Sequence, residues 1–388
     1  MRNFLAFISL IIICISCESN MIQEEFNDSP PEVFDAFWTE FDCFYGAFNA
    51  KRINWDSLKV VCGENLNAAS DNDQLFKSIC KLLDALNDGH ADINAEGRKY
   101  RSWNRRSKSF FRDTCTQDTR LTHYIFDCIK DNYLEQGASS GEPGDRFLKG
   151  RILYDSLVIG YLHIPTFSTA YLRSFVEQAA REFNDCDAVV IDIRFNGGGT
   201  TKNFQHALDL FCTEKKLYLK SRFRNGKRHS DLSEMFDHYT HPSSIGCKNK
   251  PVAIIANSYS SSSSEFFIKG LQSQKKVVLI GDTTCGAFSQ VHSRILPNGW
   301  TFRIGSQVVY TPEGLLYTTA DGKYIEGHGI VPDYYVPDNL QRAKDGHDNP
   351  LDRAIYELDR CISFSPSSPL CHRSMASRFV LANPRCFD

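Results

Sequence analysis

Apolar positions change their period along this chain, and each change marks a different kind of element. From about Pro31 to Asn87 they recur at helical spacing: Val33, Phe34, Phe37, Phe41 and Phe44, then Leu75, Ile79, Leu82, Leu83 and Leu86. That spacing predicts a small N-terminal helical unit within residues 18–95. Residues 96–150 turn polar and rich in Arg, Ser and Gly, with "GASSGEPGD" a predicted loop and no clear PDZ domain. From 151 to 340 short Val- and Ile-rich runs ("SLVIGYLHI", "AVVIDIR", "PVAIIAN", "KVVLIGD") alternate with helical patterns such as "YLRSFVEQAAREF". Buried strands alternating with helices predict an α/β fold, with a largely parallel buried sheet and flanking helices. In the stretch 341–388, "PLDRAIYELDR" predicts one helix, followed by a Cys-containing tail to which no role is assigned.

The first 17 residues stand outside this plan. "MRN" carries one positive charge, and "FLAFISLIIICIS" is a 13-residue apolar run. A bilayer span takes about 20 residues, so this run has the length of a secretion signal. It ends in "CISC" and turns polar at once in "ESN". That resembles a bacterial lipoprotein signal, and it implies that Cys17 becomes a lipidated N-terminus. The alternative is an ordinary cleaved signal that leaves a soluble chain. The localisation expected is the bacterial cell envelope, with membrane contact only through the N-terminal lipid.

Composition narrows the classes further. At 388 residues, 42% hydrophobic and 23% charged, the chain has ample material for a packed core. A net charge of −3 makes no electrostatic case for nucleic acid, and the patches "RKYRSWNRRSK" and "RFRNGKR" read as solvated surface. Of 14 cysteines, 12 remain beyond Cys17, too sparse for a disulfide scaffold and without a CxxC pair. His238 and His241 in "HYTH" lack the companions of a zinc site. Neither metal nor cofactor is expected, and some thiols are expected to act as small buried hydrophobes.

Chemistry is concentrated at two strand ends. "AVVIDIRFNGGGT" runs from a buried strand into Gly197, Gly198 and Gly199, a turn in which a substrate approaches backbone N–H groups without a Cβ in the way. The turn lacks a phosphate-loop pattern and suits either a simple tight turn or an oxyanion hole. "NSYSSSSSEFF" places six serines between a strand and a helix. There a serine either caps the helix or attacks a carbonyl, with the adjacent Ser263 N–H facing the oxyanion.

Six motifs taken in order make the chemistry specific. "DGHADI", "VIGYLHIPTF", "VIDIRFNGGG", "VAIIANSYSSSSSEFF", "VVLIGDTTCGAF" and "EGHGIVPD" resemble the tail-specific, or C-terminal processing, serine peptidases, from about Leu82 to Val336. The resemblance implies a nucleophilic serine three residues before Glu265, which is Ser262. Members with a Ser-Lys dyad carry lysine where "GDTTCGA" has Ala287. The tricorn-like branch uses a histidine and a glutamate instead, and these map onto His90 and Glu326, with His328 a competitor for the base. The implied oxyanion hole is Gly198 with Ser263. The resemblance thus implies an exported serine endopeptidase acting on unfolded or extended peptides by acyl transfer. The alternative is a non-catalytic ligand- or peptide-binding protein on the same fold.

Overall fold

The computed structural model describes residues 28–101, 121–140 and 146–363. The signal region with Cys17, and the Cys-containing tail from 364 onward, lie outside the described residues.

Helices α1 (Pro30–Phe44), α2 (Phe48–Lys51), α3 (Trp55–Gly63) and α4 (Asn72–Leu86) lie in the N-terminal part of the described chain. Helix α4 starts with a capping box: the Asp71 side chain accepts the Gln74 N–H while the Gln74 side chain accepts the Asp71 N–H. Its apolar stripe Leu75, Ile79, Leu82, Leu83 and Leu86 is fully buried. Asn87, in the left-handed region at φ 46°, ends the helix and swings the chain into Asp88-Gly89-His90. The next strand, β1 (Asp92–Ala95), lies between β2 (Arg98–Arg101) and β12 (Thr301–Gly305) in an antiparallel sheet closed by β11 (Val291–Ile295). The helical unit therefore ends inside a sheet shared with the distant segment 291–305. Its side chains join one hydrophobic cluster with those of the α/β core.

The segment 96–150 is more structured than its polarity predicts. It contains β2, helix α5 (Leu121–Asn132) and part of β4 (Leu148–Tyr154). Among the described side chains of α5, Ile125, Phe126, Cys128 and Ile129 are buried, a stripe too narrow to stand out among polar neighbours.

The main sheet has seven strands in the order β14-β10-β9-β6-β5-β4-β3. Strands β5 (Leu157–His163), β6 (Ala188–Asp192), β9 (Val252–Ala256), β10 (Val277–Gly281) and β14 (Tyr334–Tyr335) pair in parallel, and β4 and β3 (Ser139–Ser140) continue antiparallel at one edge. Every residue of β6 and β9 is buried. Val189, Ile191, Val252 and Ile254 face the cluster shared with α6 (Tyr171–Glu182), α7 (Thr201–Asp209) and α8 (Ser263–Gln272). Val190, Ala253 and Ile255 face the second cluster with α5 and the C-terminal helix Asn349–Ser363. A third small sheet joins β7 (Leu217–Phe223) to β8 (Phe236–Tyr239) and β13 (Gln307–Tyr310). Cys62, Cys128, Cys186, Cys212 and Cys247 are buried thiols that fill core space. Among the described residues no helix is long and apolar enough to cross a membrane.

Candidate active site

The serine tract is the turn from β9 into α8, and its hydroxyls divide the work. Ser260 Oγ donates to the Ile193 carbonyl at 2.8 Å, Ser264 Oγ to Asn196 at 2.8 Å and Ser263 Oγ to Gly199 at 2.8 Å. Three serines thus stitch this turn onto the glycine turn after β6. Ser262 is the N-cap residue of α8 and sits at φ 59°, ψ −121°. A non-glycine residue avoids that region unless its surroundings enforce it, and such strain clusters at functional turns.

Gly198 lies directly against this turn. A Cβ on it would come within 2.8 Å of Ser262 Cβ and of the Ser261 carbonyl oxygen, and within 3.0 Å of Ser263 N. With φ at +96° the position requires glycine on both counts. The Gly198 N–H donates to Asn196 Oδ1 at 2.8 Å. The Ser263 N–H belongs to the first turn of α8, where backbone donors lack intrahelical acceptors.

Glu265, one turn into the helix, locks the elbow from below. Its fully buried carboxyl accepts from Ser262 N (3.1 Å), Thr284 Oγ1 (2.5 Å), Gly286 N (2.7 Å) and Ala287 N (2.7 Å). Burial raises its pKa to about 7, with the four donors opposing. In the sequence it served only as the marker for counting back to Ser262. Ala287 packs on the turn that carries His90: a Cβ on Gly89 would lie 3.0 Å from Ala287 Cβ. The space a longer side chain at 287 would need is thus occupied by the Asp88-Gly89-His90 turn.

The motifs around His90 and Glu326 interlock. A Cβ on Gly327 would strike the Asn87 carbonyl oxygen at 2.0 Å, and Asn87 Nδ2 donates to the Gly327 carbonyl at 3.2 Å. Glu326 is buried, its Oε2 accepting the Phe288 N–H at 2.8 Å. One ring nitrogen of His90, one carboxyl oxygen of Glu326 and one of Asp88 all lie within 4.8 Å of one another. His90 is 7% exposed, and burial depresses its imidazole to a pKa of about 4, the Asp88 charge opposing. Glu326 is driven well above the ordinary carboxyl range by burial and then by Asp88. His328 is not one of the three; it donates from Nδ1 to the Tyr324 carbonyl at 2.8 Å and lines a cavity of about 300 Å³ with Lys51, Arg52, Tyr324 and Glu326.

Three donor atoms this close have the make-up of a cation site, but a cation already stands nearby: the half-buried Lys51 ammonium, which donates to the Leu86 and Asn87 carbonyls at 2.7 and 3.0 Å, feels the charges of Asp88 and Glu326. We assign no metal to them. Among the described residues no hydrogen bond joins Ser262 to His90. Contact between the two runs through Glu265, Ala287 and Gly89. Asp88, Lys51 and Glu265 carry much of the site's electrostatics, and sequence reasoning singled out none of them. The signal for Asp88 was present two residues before His90.

Comparison with known proteins places this site in a family context. Residues 158–336 match the model of "Peptidase family S41". The carboxy-terminal processing protease CtpB of Bacillus subtilis is 28% identical over 192 residues, covering 47% of this chain and 36% of CtpB. The chain thus matches only about a third of the length of that relative. A candidate peptidase from Parabacteroides merdae has a solved structure with TM-score 0.70 and 25% identity, covering 86% of this chain and 97% of that one. Mature CPAF complexed with lactacystin aligns with TM-score 0.62 at 11% identity over 86% of this chain and 98% of its own, a likeness of fold. The mostly parallel sheet and the glycine and serine turns lie inside the matched segment, so residues 158–336 are similar to peptidase family S41 and to the carboxy-terminal processing proteases.

Proposed function

We propose that this protein is a serine endopeptidase that cleaves unfolded or extended peptides by acyl transfer, with Ser262 as nucleophile, His90 as general base and Glu326 behind His90. The observation that carries the reading is the strained Ser262 elbow set against Gly198, with the His90 and Glu326 turns interlocked one layer away. In this mechanism Ser262 Oγ attacks the scissile carbonyl carbon and its proton passes to His90. The oxyanion faces the Ser263 N–H and the Gly198 turn. His90 then returns the proton to the leaving amine, and water releases the acyl group by the same steps. Ala287 leaves no lysine to take the proton, which is why the Ser-His-Glu arrangement is favoured over a Ser-Lys dyad. Closure on substrate must bring Ser262 and His90 together, as apo hydrogen bonds in such sites are often incomplete.

One observation favours the alternative of a non-catalytic peptide- or ligand-binding protein: Ser262 and His90 share no hydrogen bond among the described residues. A fluorophosphonate probe on the envelope-extracted protein separates the two. Peptide mapping is expected to find the adduct on Ser262 and none in Ser262→Ala, whereas an unlabelled or differently labelled chain supports the binding protein. The same mass spectra test export and anchoring, which we propose from the apolar run that ends at Cys17. The expected N-terminal peptide begins with acylated Cys17, and an unmodified start elsewhere near residue 20 would mean a plain signal peptide.

A further inference from the structure

Two carboxyl groups stand beside His90 where the proposed mechanism uses one. Asp88 and Glu326 are both buried, and each puts an oxygen within 4.8 Å of the other and of a His90 ring nitrogen. Their surroundings differ. Asp88 Oδ1 accepts the His90 backbone N–H at 2.7 Å, which ties it to the turn that carries the imidazole. Glu326 Oε2 accepts the Phe288 N–H, while its buried Oε1 receives no such donor. Yet the facing carboxyl oxygens of Glu326 and Asp88 lie within 4.8 Å of one another. An ionised carboxylate only accepts, so a hydrogen bond between two carboxyl groups exists only when one of them holds a proton. Two like charges packed together away from water cannot both ionise near neutral pH.

We propose that Asp88 and Glu326 share one proton, carried on Glu326, so that ionised Asp88 is the charge that holds His90 and stabilises its imidazolium. This rests on the reading of His90 as general base, and it makes Asp88 a positioning residue that acts through His90. When the Ser262 proton reaches His90, the new positive charge meets the Asp88 carboxylate, and the proton on Glu326 stays where it is. The groups around the pair fit this division. Asp88 faces Lys51, His90 and Tyr45; burial disfavours its charge, but Lys51 and His90 outweigh it and hold its carboxyl below the ordinary value. Glu326 faces Asp88, Lys51, Glu265 and Tyr324, and burial with the neighbouring Asp88 charge keeps it protonated. Around His90 stand Asp88, Arg303, Arg101 and Asp92, the last three linked by ion pairs of both arginines to Asp92.

The test compares Glu326→Gln with Asp88→Asn. Glutamine reproduces the shape and the donor of a protonated Glu326, so Glu326→Gln should lower kcat by less than Asp88→Asn does. Asparagine removes the charge, so Asp88→Asn should lower kcat roughly 10²-fold or more with KM little changed. An equal loss, or the reverse order, overturns the assignment. A second measurement is independent of both turnover and the stability of Asp88→Asn. Infrared spectra of the full chain at neutral pH should contain a protonated-carboxyl stretch that disappears in Glu326→Gln. Taking the difference against that variant removes any contribution from Glu265. No such difference band would overturn the shared proton. If the protein proves inactive altogether, the band still decides the shared proton, while the fluorophosphonate result decides the peptidase reading.

Discussion

His90 shows how far a side chain departs from its intrinsic chemistry. A free imidazole titrates near 6.5, so a base of that kind fails as pH drops through the middle of the physiological range. Here burial favours the neutral ring and brings the pKa down to about 4, against the pull of Asp88. The neutral form is the proton acceptor, and it persists as long as pH stays above the pKa. The acid limb of kcat/KM, which reports the free enzyme, should therefore fall near pH 4. A pH profile on a peptide substrate checks this, and a limb near the free-imidazole value of about 6.5 would mean that the working state exposes His90 to water. His90→Ala should lower kcat by roughly three orders of magnitude or more, leaving what positioning and the oxyanion donors supply.

At the scale of elements, the glycine turn after β6 and the serine turn after β9 form one unit. Their hydrogen bonds through Ser260, Ser263 and Ser264 give the tract's other serines a structural role. Gly198→Ala tests this unit. The new Cβ would overlap Ser262 Cβ and the Ser261 carbonyl at 2.8 Å, at a φ of +96° that alanine resists. Either the elbow shifts or the turn opens, at a cost of about 1–3 kcal/mol in stability for the backbone strain. The expected outcome is a lower Tm together with loss of fluorophosphonate labelling at Ser262. Normal labelling with an unchanged Tm would show that the two turns are not coupled.

Across the whole molecule, Arg194 ties the site to the C-terminal segment. Its fully buried guanidinium binds Asp192 Oδ2 at 2.6 Å, Asp338 Oδ1 at 2.7 Å and Asp348 Oδ2 at 2.9 Å. Asp348 also accepts the Leu351 N–H at the start of the C-terminal helix. Asn257 extends the network, donating to Asp338 Oδ2 and accepting the Phe195 N–H, which brings it to the foot of the serine turn. Removing one member of a buried ionic network leaves the others uncompensated. Arg194→Met should therefore cost about 3–5 kcal/mol, read as a shift in the denaturant midpoint. A loss under about 1 kcal/mol would mean that the three aspartates find other partners.

Local patterns in the sequence determined the helical period of residues 31–87 and the strands β5, β6, β9 and β10, because each depends on near neighbours. Period and turn chemistry are written in consecutive residues and need no knowledge of the rest of the chain. The motif order likewise named His90 and Glu326 and marked Ala287 as the missing lysine. Helix α5 was hidden because its buried stripe, Ile125, Phe126, Cys128 and Ile129 among the described side chains, is too short to give a polar segment a period. The pairing of β1 with the distant β12 was equally out of reach, as was the Arg194 network. Only the tertiary structure set Asp88 and Glu326 side by side next to Lys51 and buried them. Charge, burial and proton sharing depend on which distant groups end up together in a water-free interior. No stretch of consecutive residues records that.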